Sequence, residues 1–154
     1  AVAGVAGAMT LDRFAPALPV PVMHIHSVDD RRALYDGGLG PAFPFTNTRV
    51  LHESVDVMLK KWIAHNGCPE QPQVGETMRG RTGAADAAHT ATRSLYSPCR
   101  GGTEVVLWKL TGAGHVWPGG LQDYLPWLLG PGTTVIDAND EMWKFFSRYR
   151  RRRD

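Results

Sequence analysis

The apolar positions of the chain form several short continuous runs. Residues 19–26 are apolar and rich in β-branched side chains, and they predict a strand buried on both faces, as in a parallel sheet. Residues 90–96 and 103–110 predict two further strands, and the segment between them contains Pro98 and two glycines, which favours a hairpin. Residues 1–8 combine small side chains with valine and predict a short, closely packed strand.

Two other stretches have helical periodicity. Between residues 49 and 65, apolar side chains recur at steps of four, three and four residues, which gives one apolar stripe along a helix. A second helix is predicted after Asp137, whose carboxylate can cap it, and its apolar residues lie on one face. Residues 69–89 are polar and have no sustained period, so they predict a loop.

Strands that alternate with helices predict an α/β layered domain over residues 1–147. The 154 residues suffice for one domain with a core, and the few predicted strands suggest that the sheet is part of a larger one. The arginine-rich residues 148–154 predict a disordered basic tail. A formal net charge of +2 is too small to indicate a nucleic-acid partner. No run approaches the roughly 18 apolar residues that cross a membrane.

Candidate chemistry lies just after two of the predicted strands. His115 follows the last strand in a loop where Gly112 and Gly114 permit a sharp turn that exposes the imidazole. A histidine is well suited to act as a general base near neutral pH. Asp29 and Asp30 follow the strand that ends near residue 26. An acid after one strand and a histidine after a later one match the order of these two triad members in α/β-hydrolases.

Two further pairs of residues leave alternatives open. Cys68 and Cys99 do not have the spacing of a zinc site, and they are either bridged or two buried free thiols. His24 and His26 lie on one face of a strand and could bind a metal ion together with an aspartate. Buried strand histidines are more often structural, so we predict no metal and no cofactor.

Several motifs follow one another in a fixed order over most of the chain. They comprise residues 21–26; Asp30 together with residues 35–38; Trp62 together with residues 66–68; residues 96–99; residues 112–119; and residues 137–139 together with residues 143–146. Through these motifs the chain resembles the C-terminal half of secreted bacterial polyhydroxybutyrate depolymerases and the related feruloyl-esterase-like serine esterases. The resemblance implies the C-terminal part of an α/β-hydrolase fold, with a mostly parallel sheet flanked by helices.

The resemblance also implies roles for individual residues. Asp30 corresponds to the triad acid, with Asp29 as the competing candidate, and His115 corresponds to the general base. Trp117 and Pro118 would shape the rim of the substrate pocket or brace the His115 loop. The implied activity is carboxylic-ester hydrolysis by a serine triad, on a polyester or an aryl ester.

The resemblance has consequences for the cysteines and for location. Cys68 and Cys99 fall where relatives carry a disulfide, and the protein would be a secreted or periplasmic bacterial one. One departure concerns Arg31 and Arg32, because they stand within a segment where the family carries a Pro-Val-Val-Pro-like run.

The nucleophile is the main departure from the family. None of the five serines lies in a G-x-S-x-G elbow, which relatives carry upstream together with the oxyanion-hole donors. We therefore expect the chain to begin after the catalytic serine and to be inactive alone. Its exposed sheet edge would be covered by the missing N-terminal half or by a second copy. The alternative function is a non-catalytic binding or interaction domain.

Overall fold

A five-stranded mixed sheet forms the centre of the fold in the computed structural model, which describes residues 1–7, 9, 11, 13–121 and 123–149. The elements are, in chain order, β1 (Val2–Val5), β2 (Val22–Ser27), β3 (Gly38–Leu39), β4 (Leu51–His52), α1 (Val55–Asn66), β5 (Gln73–Arg79), β6 (Thr90–Tyr96), β7 (Val105–Thr111), α2 (Pro126–Leu129) and α3 (Ala138–Phe146). The large sheet has the strand order β1-β2-β7-β6-β5, and β3 pairs with β4 separately.

The large sheet joins a parallel part to an antiparallel part. Strand β2 pairs in parallel with β1 and β7, whereas β6 pairs antiparallel with β7 and β5. The connections 80–89 and 97–104 are shorter than the dozen or more residues that a parallel crossover needs, so they join antiparallel neighbours. The prediction of a mostly parallel α/β-hydrolase sheet flanked by helices is therefore wrong. The sheet is mixed, and the described residues form only three α-helices, one of which has four residues.

The two edges of the sheet differ in character. Strand β5 lies where the sequence predicts a loop, and all seven of its residues are exposed. A strand exposed on both faces needs no apolar alternation, so the sequence gives no periodic signal for it. Its pairing with β6 shifts register between Val74 and Thr77, an irregularity that protects an edge strand from further pairing. At the opposite edge, β1 contains no charged residue.

Two apolar clusters lie on opposite faces of the sheet. Alternate residues of β2 and β7 point to opposite faces, so these central strands are buried along nearly their whole length. On one face, Ile25 and Leu110 pack with Phe145 of α3. On the other face, Leu107 packs with Leu59 of α1. The two predicted helices therefore supply the two layers that cover the parallel part of the sheet.

The structure confirms both predicted helices and corrects where the first one begins. Helix α1 begins at Val55 rather than near residue 49, because residues 51–52 pair with β3. It ends at Asn66 and is followed by Gly67, which has the left-handed φ of 63° that terminates many helices. Asp137 caps α3, because its carboxylate accepts hydrogen bonds from the backbone N–H groups of Asn139 and Asp140.

Two side-chain contacts tie segments outside the sheet to residues next to its strands. Cys68 and Cys99 form a disulfide that joins the end of α1 to the segment after β6. Arg148 forms an ion pair with Glu104 next to β7. The rest of the predicted basic tail from residue 150 onward lies outside the described residues.

Among the helices of the described ranges, none is long and apolar enough to cross a bilayer.

Candidate active site

Asp30 and His115 meet at the edge of the sheet where β2 and β7 end. These strands are parallel neighbours, so the loops that follow them lie side by side. His115 Nδ1 lies 2.8 Å from Asp30 Oδ2. The Asp30 side chain is fully buried, whereas 36% of the His115 side chain is exposed. The pair therefore consists of a buried acid and an accessible base.

Donors on both sides hold the carboxylate of Asp30. The backbone N–H groups of Arg32 and Ala33 each donate to Oδ1 at 2.8 Å, as is common for an aspartate at the start of a turn. Oδ2 faces His115 and lies 3.4 Å from His26 Nε2. Burial by itself raises the pKa of this carboxyl, but the hydrogen bonds from His115, His26 and the Ala33 backbone outweigh it. They hold the pKa of Asp30 well below its ordinary value of 3.8, so Asp30 is charged at neutral pH.

The charged carboxylate of Asp30 determines which imidazole nitrogen of His115 carries the hydrogen. A carboxylate only accepts, so Nδ1 of His115 donates, and Nε2 is the acceptor in the neutral ring. Within the part of the chain that the structure describes, Nε2 has no hydrogen-bond partner. The imidazole therefore presents a free basic nitrogen at the surface.

Asp29, the competing candidate for the acid, contacts a different group. Its Oδ2 accepts from the backbone N–H of Gly112 at 2.6 Å. This bond ties the start of the His115 loop to the end of β2. The structure thus brings Asp30 to the imidazole and uses Asp29 to anchor the loop.

The glycines of the His115 loop permit close backbone contacts. The N–H of Gly114 donates to Pro131 O at 2.9 Å, and the N–H of His115 donates to Leu129 O at 2.6 Å. A Cβ atom at Gly114 would lie well inside van der Waals contact with the Leu129 carbonyl. Gly112 has a φ of 83°, which disfavours any residue with a side chain. The loop is therefore fixed on both sides of the base.

A buried pair of imidazoles lies behind Asp30. His26 Nε2 donates to Ala33 O at 2.8 Å, because a carbonyl only accepts. Its Nδ1 then accepts from His24 Nε2 at 3.0 Å. Burial, followed by the proximity of His26, lowers the pKa of His24 to about 3. Sequence reasoning did not assign His26 to the Asp30 site, since its main partner is a backbone carbonyl that no motif reveals.

The same contacts bear on the metal site considered for His24 and His26. The two rings lie tilted beside each other. His24 Nε2 and both ring nitrogens of His26 are already engaged in hydrogen bonds. In the ranges that the structure describes, no three His, Cys, Asp or Glu side chains are grouped to hold a metal ion.

Trp117 and Pro118 have different surroundings. Trp117 is exposed and lines, together with His115, an open hollow of about 270 Å³, which we call the Trp117 hollow. Pro118 is buried, and its carbonyl accepts from the N–H of Ala138 at the start of α3 at 2.9 Å. Trp117 thus borders a surface hollow, whereas Pro118 braces the loop.

A second hollow, which we call the Arg32 hollow, also borders His115. Its volume is about 200 Å³. Its apolar walls are formed by Ala33, Pro41, Phe43, Val50, Leu128 and Leu129. Its polar lining residues are Arg32, His52 and His115. His115 therefore stands between two hollows that can accept apolar groups.

The five serines, all within the described ranges, do not supply a nucleophile to His115. Ser27, the closest in sequence to Asp30, is buried, and its hydroxyl donates to Ala113 O at 2.6 Å. Ser147 donates to Lys144 O on α3. No hydrogen bond joins any serine hydroxyl to His115 among the described residues.

Comparison with models of known protein families gives no match for this chain, and comparison with curated proteins gives no similar sequence.

Proposed function

We propose that Asp30 and His115 are the acid–base pair of a carboxylic-ester hydrolase. The observation that carries the proposal is the 2.8 Å bond between a buried, charged Asp30 and Nδ1 of an accessible imidazole whose Nε2 has no described partner. In this arrangement Nε2 can remove a proton from a hydroxyl, while the carboxylate stabilises the imidazolium that forms.

The proposed reaction has two halves. A hydroxyl attacks the ester carbonyl as His115 Nε2 takes its proton, and His115 then returns that proton to the departing alcohol. Water attacks the resulting acyl intermediate in the same way, and His115 restores the proton to the hydroxyl that was acylated. Because no described serine contacts His115, the hydroxyl in this proposal belongs to a group outside the described residues.

The surroundings of His115 support an ester with apolar parts. His115 lines both the Arg32 hollow and the Trp117 hollow, and each hollow is large enough for a small acyl or alcohol group. The motif resemblance adds a polyester or an aryl ester as the proposed substrate class. The disulfide between Cys68 and Cys99 supports an oxidising location, and we propose a secreted or periplasmic bacterial protein.

A small alcohol added to the purified protein tests the acid–base pair directly. We expect no release of p-nitrophenol from a short p-nitrophenyl ester above the buffer rate with the protein alone. With added ethanol, whose ethyl group can occupy an apolar hollow beside His115 as water does not, we expect release that falls roughly tenfold in Asp30→Asn and His115→Gln. This is less than the 100- to 10,000-fold typical of general-base catalysis, because a free alcohol is held only loosely.

The matched control is His65→Gln, which changes a partly exposed histidine far from Asp30 in the chain. Equal ethanol-dependent rates in the wild type, the His115→Gln variant and this control would refute the proposal. Rapid release without ethanol that requires His115 would show that the pair needs no added alcohol, and it would refute the expectation that the chain is inactive alone.

A non-catalytic interaction domain is the second candidate, and a specific observation favours it. Large apolar side chains are exposed on segments that line the two hollows or adjoin their lining residues in sequence: Phe45 fully, Leu121 at 76% and Trp127 at 71%. Exposed apolar surface of this kind marks an interaction site in many proteins. The uncharged edge strand β1 could also pair with a partner or a second copy. A silent ethanol assay together with a stable dimer in sedimentation would favour this candidate, whereas a stable monomer disfavours it.

A further inference from the structure

A cation that forms no ion pair with a described carboxylate borders the Arg32 hollow. Arg32 Nη1 donates to Ala42 O at 3.2 Å, and the guanidinium carbon lies 5.1 Å from the centre of the Phe43 ring. These two contacts restrict where the head group can lie. None of the ion pairs formed by the described residues includes Arg32. The guanidinium is therefore positioned and retains donors for a ligand.

The hollow next to this cation suits a small apolar body. Six of its lining residues are apolar, and none of its lining residues is an aspartate or a glutamate. Its volume of about 200 Å³ is below the range of about 300–1,000 Å³ typical of drug-sized ligands. Among the described residues that line it, Arg32 carries the only permanent charge.

The cation is also connected to the candidate catalytic pair. The backbone N–H of Arg32 donates to Asp30 Oδ1 at 2.8 Å, and His115 lines the same hollow as the Arg32 side chain. Any ligand that pairs with the guanidinium and fills the hollow therefore lies beside the imidazole.

We propose that the Arg32 hollow binds a small apolar molecule that carries a carboxylate, with the guanidinium of Arg32 as its charged partner. A single guanidinium matches a planar, singly charged carboxylate through two parallel hydrogen bonds. The interpretation of this molecule as the acyl or alcohol part of an ester with a second, free carboxylate rests on the proposed function. The binding itself does not require hydrolysis.

Titration with benzoate and benzamide, followed by two-dimensional NMR of the backbone amides, tests the proposal on the purified chain. The two probes have the same shape and differ in charge. We expect benzoate to shift the amide signals of Val50, Leu128 and Leu129 in a saturable way, with a dissociation constant in the millimolar range or below. We expect benzamide to bind at least roughly tenfold more weakly, because it lacks the charge-assisted bonds.

Two variants test whether the guanidinium of Arg32 is the charged partner of benzoate. Arg32→Gln keeps the backbone N–H that holds Asp30, and it should weaken benzoate binding roughly tenfold or more while leaving benzamide unchanged. Arg31→Gln removes the same charge from the exposed neighbouring residue and should leave benzoate binding unchanged. No saturable shift with benzoate, equal binding of benzoate and benzamide, or equal loss in both variants would overturn the proposal.

The outcome is independent of the proposed hydrolysis. Benzoate binding that depends on Arg32, with no His115-dependent reaction in the ethanol assay, would support the binding site and refute the hydrolase. The reverse result would refute the binding site alone.

Discussion

Acidification should destabilise this protein through His24. The His24 side chain is buried, and burial followed by the proximity of His26 lowers the pKa of His24 from 6.5 to about 3. In the unfolded chain His24 takes up a proton below pH 6.5, whereas in the folded protein it stays neutral. The stability that depends on neutral His24 is therefore fully present above pH 6.5 and is lost as the pH falls towards 3.

The expected magnitude follows from this pKa interval. One pKa unit corresponds to about 1.36 kcal/mol, so the interval from 6.5 to about 3 corresponds to about 5 kcal/mol. Between pH 7.5 and 4.5 the free energy of unfolding should fall by about 3 kcal/mol. This is a large share of the 5–15 kcal/mol by which most domains are stable. Above pH 4.5 the low pKa of Asp30 contributes little, because its ordinary value is 3.8.

Urea unfolding followed by tryptophan fluorescence at several pH values between 7.5 and 4.5 measures this fall. His24→Gln should largely remove it, because the glutamine amide can still donate to His26 Nδ1 and does not titrate. His65→Gln changes a more exposed histidine and should keep the wild-type slope. If the wild type and His24→Gln lose the same free energy over this range, His24 is not the group responsible, and the reasoning from its burial fails.

Three further changes test other parts of the structure. Gly114→Ala should destabilise the protein by about 1–3 kcal/mol in urea unfolding, because the new Cβ overlaps the carbonyl of Leu129; an unchanged midpoint would contradict the tight loop packing. Asn66→Ala should cost about 2 kcal/mol or more, because this buried side chain bonds both the N–H and the carbonyl of one backbone residue, and retention of full stability would show that water replaces these bonds. Replacement of Cys68 and Cys99 together by serine should lower the free energy of unfolding by about 3–4 kcal/mol, since the bridge closes a loop of 31 residues; a smaller loss than 1 kcal/mol would show that the unbridged chain is already compact.

The central strands could be predicted because burial on both faces leaves a continuous apolar run. This holds for β2 and β7, which the structure confirms close to their predicted bounds. Strand β5 could not be predicted, since every one of its residues is exposed and no apolar period is needed. The error in fold class has two sources. Without β5, the antiparallel part of the sheet was reduced to one hairpin, and the mostly parallel sheet was taken from the family resemblance.

The pairing of Asp30 with His115 could be anticipated from order along the chain, because residues that follow parallel neighbouring strands lie at one edge of a sheet. The contacts that hold Asp30 in place could not be anticipated from the sequence. They involve backbone N–H groups, the Ala33 carbonyl and His26, and their positions depend on how the turn after β2 folds. The separation of Asp29 from Asp30 likewise required coordinates, since neighbouring residues in a turn point in different directions.

The contact between residue 32 and Asp30 has a consequence for how the site can change over generations. Residue 32 bonds the Asp30 carboxylate through its main-chain N–H and not through its side chain, so this bond survives any replacement except proline, which lacks that hydrogen. The side chain at this position, meanwhile, forms part of the wall beside the imidazole. Selection can therefore exchange the charge, length or polarity at position 32 and leave the acid in place, which makes it a position where ligand preference and chemistry can evolve separately.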